Sequence, residues 1–500
     1  MPPLIISNFQ KGQSRTPYMA DGAFAKSQNV DIFSQEGIAR INYLPVAYSG
    51  SAGNAVTDLP TQFEIDPYNA NIIYFCDNSR DVYSFNTSTN TVTKIGTNKG
   101  NQIKVWNDYL IAIRDSSIGA INCYGLAGGS WSTITGLNGV AGDYEHYILS
   151  SSKDGKIYIA NNFTNTTFKI ATLVEVAGKV FTPSDNTTWT LSATAFALPE
   201  RWKATGLSEI GRYIVVAMKY TTQIVDREIP QTMFGFWDRS ATTFDYMLTQ
   251  SEYGLGNIVS MNEGLYVTGG SQGNIYQITE SGLSKIAQIP FDYDSGNSIL
   301  IGSIGEHSID WWNDRLVIGV SSEDGLYPAG IYSMRNGVIC HEFLQPDGDD
   351  GSVNDIYIGG VMSRNVNELY FGWKRVVSGG ATTYGIAKVS TSGYRFPSYT
   401  SYLESGFYPV GAIDQKKSFN NVKVQLARPL QTGEGVRIKY RKNINDSWTT
   451  LGTQDYTTNG AVSSLSFPGI HNVENVQVRI ELTTGASSSN TPYILAVYLI

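Results

Sequence analysis

Between about residue 70 and residue 375 the chain repeats one phrase seven times: a polar or glycine turn, then a short aliphatic and aromatic run. The instances are Asn71-Ile72-Ile73-Tyr74-Phe75, Asp108-Tyr109-Leu110-Ile111, Gly155-Lys156-Ile157-Tyr158-Ile159, Gly211-Arg212-Tyr213-Ile214-Val215, Gly264-Leu265-Tyr266-Val267, Asp314-Arg315-Leu316-Val317-Ile318 and Asn367-Glu368-Leu369-Tyr370-Phe371. Two share their approach as well, Val105-Trp106-Asn107-Asp108 and Trp311-Trp312-Asn313-Asp314. Spacings of about 38 to about 56 residues match a four-stranded propeller blade.

A second phrase follows in most units, as in Asp81-Val82-Tyr83-Ser84-Phe85, Gly273-Asn274-Ile275-Tyr276-Gln277-Ile278 and Gly330-Ile331-Tyr332-Ser333-Met334. Its alternation has the period of a half-buried strand. A third run, such as Leu283-Ser284-Lys285-Ile286-Ala287 or Val338-Ile339-Cys340, is joined by a tight turn, Glu280-Ser281-Gly282 or Arg335-Asn336-Gly337. Such a unit cannot bury both faces alone. Neighbours must stack, and closing the stack into a ring leaves few exposed edges. The sequence therefore predicts an all-β chain with an about seven-bladed β-propeller over residues 58–405. The blades fall near 58–97, 101–137, 143–179, 200–250, 254–291, 298–346 and 353–400. Fifty Gly, 31 Tyr and a charged fraction of 16% suit many short strands and turns. No stretch holds helical periodicity, so helix should be scarce.

The pattern changes near Gly406-Phe407-Tyr408-Pro409-Val410-Gly411, where Gly and Pro interrupt it. Beyond it, Val422-Lys423-Val424-Gln425-Leu426, Val436-Arg437-Ile438-Lys439-Tyr440-Arg441 and Val476-Gln477-Val478-Arg479-Ile480-Glu481-Leu482 alternate cleanly, and Ile494–Ile500 ends the chain as an apolar strand. Residues 411–500 are enough for a small antiparallel β-sandwich, an interaction or assembly domain. Residues 1–57 form a short N-terminal extension that packs on or closes the propeller and is a candidate assembly segment. The first residues lack a basic start and a long apolar core, so no secretory signal is read there. No run of about 18 apolar residues predicts a membrane anchor. Cys76, Cys123 and Cys340 are scattered through strand-like runs, which favours free buried thiols over a disulfide framework. The net charge of −8 argues against a surface built to grip a phosphate backbone.

Within the extension, Phe9-Gln10-Lys11-Gly12-Gln13-Ser14, Pro17, Asp21-Gly22-Ala23-Phe24-Ala25, Asn29-Val30-Asp31 and Glu36-Gly37-Ile38-Ala39-Arg40 space turn glycines between polar anchors. This resembles the opening of the tail nozzle proteins, or tail tubular protein B, of short-tailed bacteriophages. A propeller followed by a sandwich carrying Trp448-Thr449-Thr450-Leu451-Gly452 looks like other phage virion propeller proteins. The resemblance implies a non-enzymatic virion component, made in the host cytoplasm and placed in the tail. It implies a six-fold ring around the DNA exit channel that meets adaptor or portal-side proteins and supports tail fibres or spikes. Genomic DNA would pass without sequence-specific binding. The chain is shorter than those nozzle proteins.

Two other function classes stay open. One is a receptor- or glycan-binding tail protein, using aromatics such as Trp131, Trp311 and Trp312 to stack on sugars. The other is a propeller-type glycan hydrolase, which needs two facing carboxylates. Asn443-Ile444-Asn445-Asp446-Ser447-Trp448 approaches an Asp-box turn but lacks its glycine, and reads as a strand turn. No catalytic or cofactor-binding residue is assigned, and no cofactor is expected. Asp347-Gly348-Asp349-Asp350-Gly351 and Asp292-Tyr293-Asp294-Ser295-Gly296-Asn297 offer alternating carboxylates near a glycine, so Asp292, Asp294, Asp347, Asp349 and Asp350 are weak Ca²⁺ candidates, although neither loop has the closing Glu. His146, His307, His341 and His471 are far apart, and Cys340-His341 should point to opposite strand faces. Gly125-Leu126-Ala127-Gly128-Gly129 opens no helix and reads as a hairpin turn rather than a phosphate loop. Asn162, Asn165 and Asn186 begin glycosylation sequons, read as Asn/Thr-rich turns.

Overall fold

The computed structural model describes residues 4–7, 9, 13, 23–113, 119–137, 146–161, 172–179, 189–191, 196–220, 231–252, 254–261, 264–269, 272–280, 282–289, 302–322, 329–343, 353–377, 382–410, 416–485 and 488–500. Among these residues the chain is nearly all antiparallel β-strand. Its one α-helix is a single turn, Tyr456–Asn459, capped by the Asp455 carboxylate, which accepts from the Thr458 N–H. No helix among them is long and apolar enough to cross a membrane.

The repeated phrases form a succession of sheets, each built on four strands; Phe196–Ala197 adds a fifth strand to the third, and the pairing of Ser322 with Ile356 joins the sixth to the last in one nine-stranded array that also holds Gly302–Ser303. The first orders Pro60–Ile65, Ile72–Asp77, Val82–Asn86 and Thr91–Gly96, and the second Gln102–Trp106, Tyr109–Ile113, Gly119–Gly125 and Trp131–Leu137. His146–Ser150, Ile157–Asn161, Thr172–Lys179 and Trp189–Leu191 make the third; Trp202–Ile210, Tyr213–Tyr220, Thr232–Trp237 and Tyr246–Gln250 the fourth. Leu255–Met261, Gly264–Gly269, Asn274–Thr279 and Gly282–Gln288 follow as the fifth, then Ile309–Trp312, Arg315–Ser322, Gly330–Arg335 and Val338–Phe343 as the sixth. The last contains Val353–Asn365, Glu368–Val377 and Thr383–Ser390, and takes its fourth strand, Val46–Tyr48, from far upstream, with Ala47 opposite Ala387.

The first strand of each sheet packs beside the first strand of the next, and Val353–Asn365 returns against Pro60–Ile65. This propeller-like circuit explains the sequence pattern. A second strand is sandwiched on both faces by neighbouring sheets, so it reads as a continuous apolar run; Arg315–Ser322 is buried at every position. Fourth strands border solvent and alternate, as Tyr246–Gln250 does. Where the circuit closes, the backbones meet at glycines. A Cβ on Gly359 would lie 1.8 Å from the Pro60 carbonyl oxygen, and one on Gly372 2.1 Å from the same atom.

Of the remaining strands, Val30–Asp31 and Arg40–Ile41 form a two-stranded ribbon, Tyr408–Pro409 pairs at the side of Asn475–Thr483, and the others form two larger sheets. One orders Leu4–Ser7, Ile494–Leu499, Lys417–Leu426 and Ser464–Val473; the other Phe24–Gln28, Ser401–Ser405, Asn475–Thr483, Gly435–Arg441 and Thr449–Asp455. Their inward side chains, among them Phe419, Val424, Ile438 and Ile480, share one buried cluster with Trp312, Ile331, Phe371 and Trp373 of the sixth and last repeating sheets. Both chain ends thus enter the same body, and that body is continuous with the circuit.

Candidate functional site

The inner strands leave a cavity of about 520 Å³ on the axis, with a wall drawn from every repeating sheet. Its shape follows from one irregularity in the sixth sheet. Gly302–Ser303 pairs with Ser321 and Ser322, and Ile309–Trp312 pairs with Arg315–Ile318, so Ile304–Ser308 faces only Gly319 and Val320. The surplus residues turn, with His307 at φ 54°. Three other sheets hold that turn. Val361 N–H donates to the His307 carbonyl at 2.9 Å, Asn257 Nδ2 donates to the Gly305 carbonyl, and Tyr147 Oη donates to Glu306 Oε1 at 2.7 Å.

Charged groups gather around this turn. Lys104 Nζ lies 2.5 Å from Glu64 Oε1. Asp310 accepts from Ser363 N–H at 2.6 Å and Trp311 N–H at 2.7 Å. Burial pushes the Asp310 carboxyl up to about 6; Glu64 adds to this, while the two amide bonds and Lys104 oppose it. Burial, aided by the Lys104 ammonium, holds His307 down to about 4, so its ring is neutral at pH 7, and its Nε2 has no hydrogen-bond partner. The cavity thus offers carboxylates, one ammonium and amides in a partly dry setting. Among the described residues, no three His, Cys, Asp or Glu side chains converge to hold a metal ion.

A second cluster lies where the ends meet the sixth sheet. Arg315, 2% exposed, stands between two buried carboxylates, 3.4 Å from Asp31 Oδ1 and 3.1 Å from Glu342 Oε1. Arg40 adds a bidentate grip on Asp31 Oδ2, at 3.0 Å from Nε and 2.8 Å from Nη2. Burial alone would raise the Asp31 carboxyl, yet Arg315, Arg40 and the bonds from Ser34 hold it far below the usual carboxylate range. Burial raises Glu342 to about 7, against the pull of Arg315. Ser27 Oγ accepts from His341 N–H at 2.9 Å, and His341 Nδ1 accepts from Asn29 N–H at 3.4 Å. The cluster is a staple between the N-terminal segment and the sixth sheet.

The tyrosines of the repeat have a common use. Tyr74 donates to Asp66 at 2.8 Å, Tyr83 to Asp77 at 3.0 Å, Tyr158 to Asp154 at 2.6 Å, Tyr276 to Glu252 at 2.8 Å and Tyr370 to Glu368 at 3.2 Å. Each ring fills an inter-sheet core while its hydroxyl finds a carboxylate near a strand end.

The residues singled out from sequence fall in several places. Asp292, Asp294, Asp347, Asp349 and Asp350, and the sequon residues Asn162, Asn165 and Asn186, lie outside the described residues. Trp312 is buried, Trp311 packs on Tyr266 with centroids 5.3 Å apart, and Trp131 Nε1 donates to the Ile95 carbonyl at 2.7 Å, tying the second sheet to the first. Asn443-Trp448 is the turn between Gly435–Arg441 and Thr449–Asp455, held by Asn443 N–H donating to Asp446 Oδ2 at 3.0 Å. Cys76, Cys123 and Cys340 are free and buried. The axial set of Glu64, Lys104, Tyr147, Glu306 and Asp310 escaped sequence reading, because each sits alone on a different inner strand or turn. A charged residue inside an otherwise apolar inner strand was its only signal.

No protein-family model matches the chain, and no curated protein matches it. Among solved structures it is similar to a computationally designed protein, Ika8, at 10% identity over 70% of this chain and 100% of that one, with a TM-score of 0.39. It is also similar to the dihydro-heme d1 dehydrogenase NirN in complex with DHE, at 11% identity, 67% and 68% coverage and a TM-score of 0.42. YCF48 bound to D1 peptide gives 8% identity, 69% and 94% coverage and a TM-score of 0.43. Likenesses this distant carry no functional argument.

Proposed function

We propose that the chain is a seven-bladed β-propeller joined to a C-terminal β-sandwich, and that it serves as a non-enzymatic structural subunit of a phage tail. In this reading it is a nozzle-like component that assembles into a ring around the DNA exit channel, beneath an adaptor, and supports neighbouring tail parts. The observation that carries it concerns the segment with the nozzle-like spacing. That segment supplies Phe24–Gln28 to the five-stranded sheet, Asp31 to the buried staple and, just beyond, Val46–Tyr48 to the last repeating sheet. Fixing both chain ends and the circuit into one body suits a part that must keep its shape under load.

The test is direct. Negative-stain micrographs of the purified full chain should show closed rings, and the chain should be found by mass spectrometry in purified phage particles. Turnover of a host glycan, lost when Asp310 is changed to Asn, would overturn the structural reading. Retention on host-cell glycan without ring formation would turn it toward receptor binding.

A further inference from the structure

We propose that the outer face of the five-stranded sheet is a docking surface for a second copy of this chain, which meets it through a different, acidic part of its own surface. The inference rests on the ring reading above and names the face that would build the ring.

Strand register puts a distinct set of side chains on that face. Arg437 lies opposite Glu481, Lys439 opposite Arg479 and Arg441 opposite Gln477; the same rows continue through Tyr402 and Glu404 to Gln28 and Lys26. The alternate residues Ile438, Ile480 and Leu403 point into the core. The carboxylates sit low, at 2% exposure for Glu481 and 5% for Glu404, and the cations reach over them. Arg437 bonds Glu481, Lys439 Nζ lies 2.8 Å from Glu481 Oε1, and Arg479 bonds Glu404. Aromatic rings fix the guanidinium planes: Arg479 lies 4.4 Å from the Tyr402 centroid and 4.6 Å from that of Trp448, Arg441 4.7 Å from Trp448 and Arg437 4.4 Å from Tyr399.

Three features make this an interface rather than solvated charge. Arg, Trp and Tyr are the residue types that dominate binding energy at protein contacts. Their side chains are already ordered by stacking and ion pairs, so docking loses less rotamer freedom than it would with mobile lysines. The turn that carries Trp448 also presents Ile444, 53% exposed, as an apolar anchor beside the cations.

Charge selects the partner. Five cations, Lys26, Arg437, Lys439, Arg441 and Arg479, stand against Glu404 and Glu481, so the face carries +3. The chain carries −8 overall, which leaves −11 on everything else. Two copies of the face repel each other, so the face does not pack on its own image. The rest of a second copy carries that net −11, so an acidic patch away from the face is the complementary occupant, and set head to tail such a contact closes rings. A polyanion such as DNA would meet the field of that −11 as well as the face.

Sedimentation velocity on the full chain tests this at about 50 mM and about 500 mM NaCl, where screening differs several-fold. The unmodified protein should assemble at low salt and dissociate at high salt. The Ile444→Asp, Lys442→Glu double variant should need a concentration about 100-fold higher to assemble, with an unchanged melting curve, since Ile444 is exposed and the Lys442 ammonium donates to the backbone carbonyls of His471 and Asn472 in an exposed setting. Trp448→Ala should weaken assembly in the same sense. Variants that assemble like the unmodified chain, with the same salt response, overturn the face and leave the ring reading standing. An unmodified chain that stays monomeric overturns both. Retention of the unmodified chain on immobilised double-stranded DNA, lost in the double variant, would assign the face to a polyanion instead.

Discussion

Within the first repeating sheet Pro60 pairs with Asp77 and Val82 with Gly96, whereas in the body made from the chain's ends Leu4 pairs with Leu499 and Phe24 with Ser405. The sheets of the circuit, apart from the last with its strand Val46–Tyr48, close short loops, so each is favoured as soon as its turns form. The second body must close a loop nearly as long as the chain before any of its outer pairings is rewarded. The two regions also treat charge differently. In the circuit, Asp66, Asp77, Asp154, Glu252 and Glu368 sit near strand ends and each takes a tyrosine hydroxyl; at the junction, Asp31, Arg315 and Glu342 are sealed together. Local pairing builds repeats that tolerate change, and a buried ion cluster fixes one long-range arrangement against all others, as a register-specifying device does.

The sharpest way to break this contrast is to remove the cation at the junction. Arg315→Ala leaves Asp31 and Glu342 buried beside each other without their shared partner, and should cost roughly 3–5 kcal/mol, read from the denaturant midpoint. A cost under about 1 kcal/mol would mean that water reaches the cluster and that the long-range tie lies elsewhere. The equivalent stress on the circuit is Gly359→Ala at its seam. The new methyl meets the Pro60 carbonyl at 1.8 Å, backbone against backbone, so the last sheet must back away from the first. Overpacking of this kind should cost about 3 kcal/mol in a thermal melt, less than the junction change because the seam is one contact among several between those sheets.

The pH dependence separates the two carboxylates of the staple. Asp31 is held below its ordinary value of 3.8, so the folded state releases its proton more readily; its contribution is present above pH 4 and fades as pH falls further. Glu342 has the opposite sign. Its folded-state value of about 7 exceeds the ordinary 4.5, so the folded state binds the extra proton between those values and stability declines as pH rises through that window. Glu342→Gln should flatten the part of that decline between about pH 6 and pH 7, and leave the share that the likewise raised Asp310 adds below about pH 6 and the acid limb set by Asp31. Melting temperatures taken from pH 4 to pH 8 check it, and an unchanged slope in the variant would show that Glu342 titrates normally.

Legibility from sequence followed the same divide. Every instance of the repeated turn-and-aliphatic phrase is the second strand of its sheet, Ile72–Asp77 and Arg315–Ser322 among them, because a strand buried on both faces needs an apolar middle and keeps its polar groups to its ends. Inner strands are weaker signals. Leu255–Met261 has to admit the neighbouring backbone at Gly256, where a Cβ would meet the Thr205 carbonyl at 2.3 Å, so glycine breaks its hydrophobic pattern. Val46–Tyr48 is three half-exposed residues with no periodicity, and its place as the closing strand depends on a partner about 340 residues away. The axial cluster and the staple share that problem: Asp31, Arg315 and Glu342 are unremarkable singly, and only the long-range closure brings them within 3.4 Å.

The smallest expected effect probes the charge handling inside a repeat. Glu252, 2% exposed, accepts from Tyr276 Oη and Asn274 Nδ2, both at 2.8 Å. Tyr276→Phe keeps the ring in its inter-sheet core and removes one bond to a buried carboxylate, at a cost of roughly 1–3 kcal/mol. Tyr246→Phe is the internal control. Its hydroxyl donates to the Glu280 carbonyl at 3.4 Å in an exposed setting, so removal should stay within about 0.5 kcal/mol. If the two variants melt alike, the hydroxyl–carboxylate pairs are decoration on a packed aromatic core. A gap between them locates the work of the repeated tyrosine in the hydroxyl, and explains why the chain uses Tyr where Phe would fill the same space.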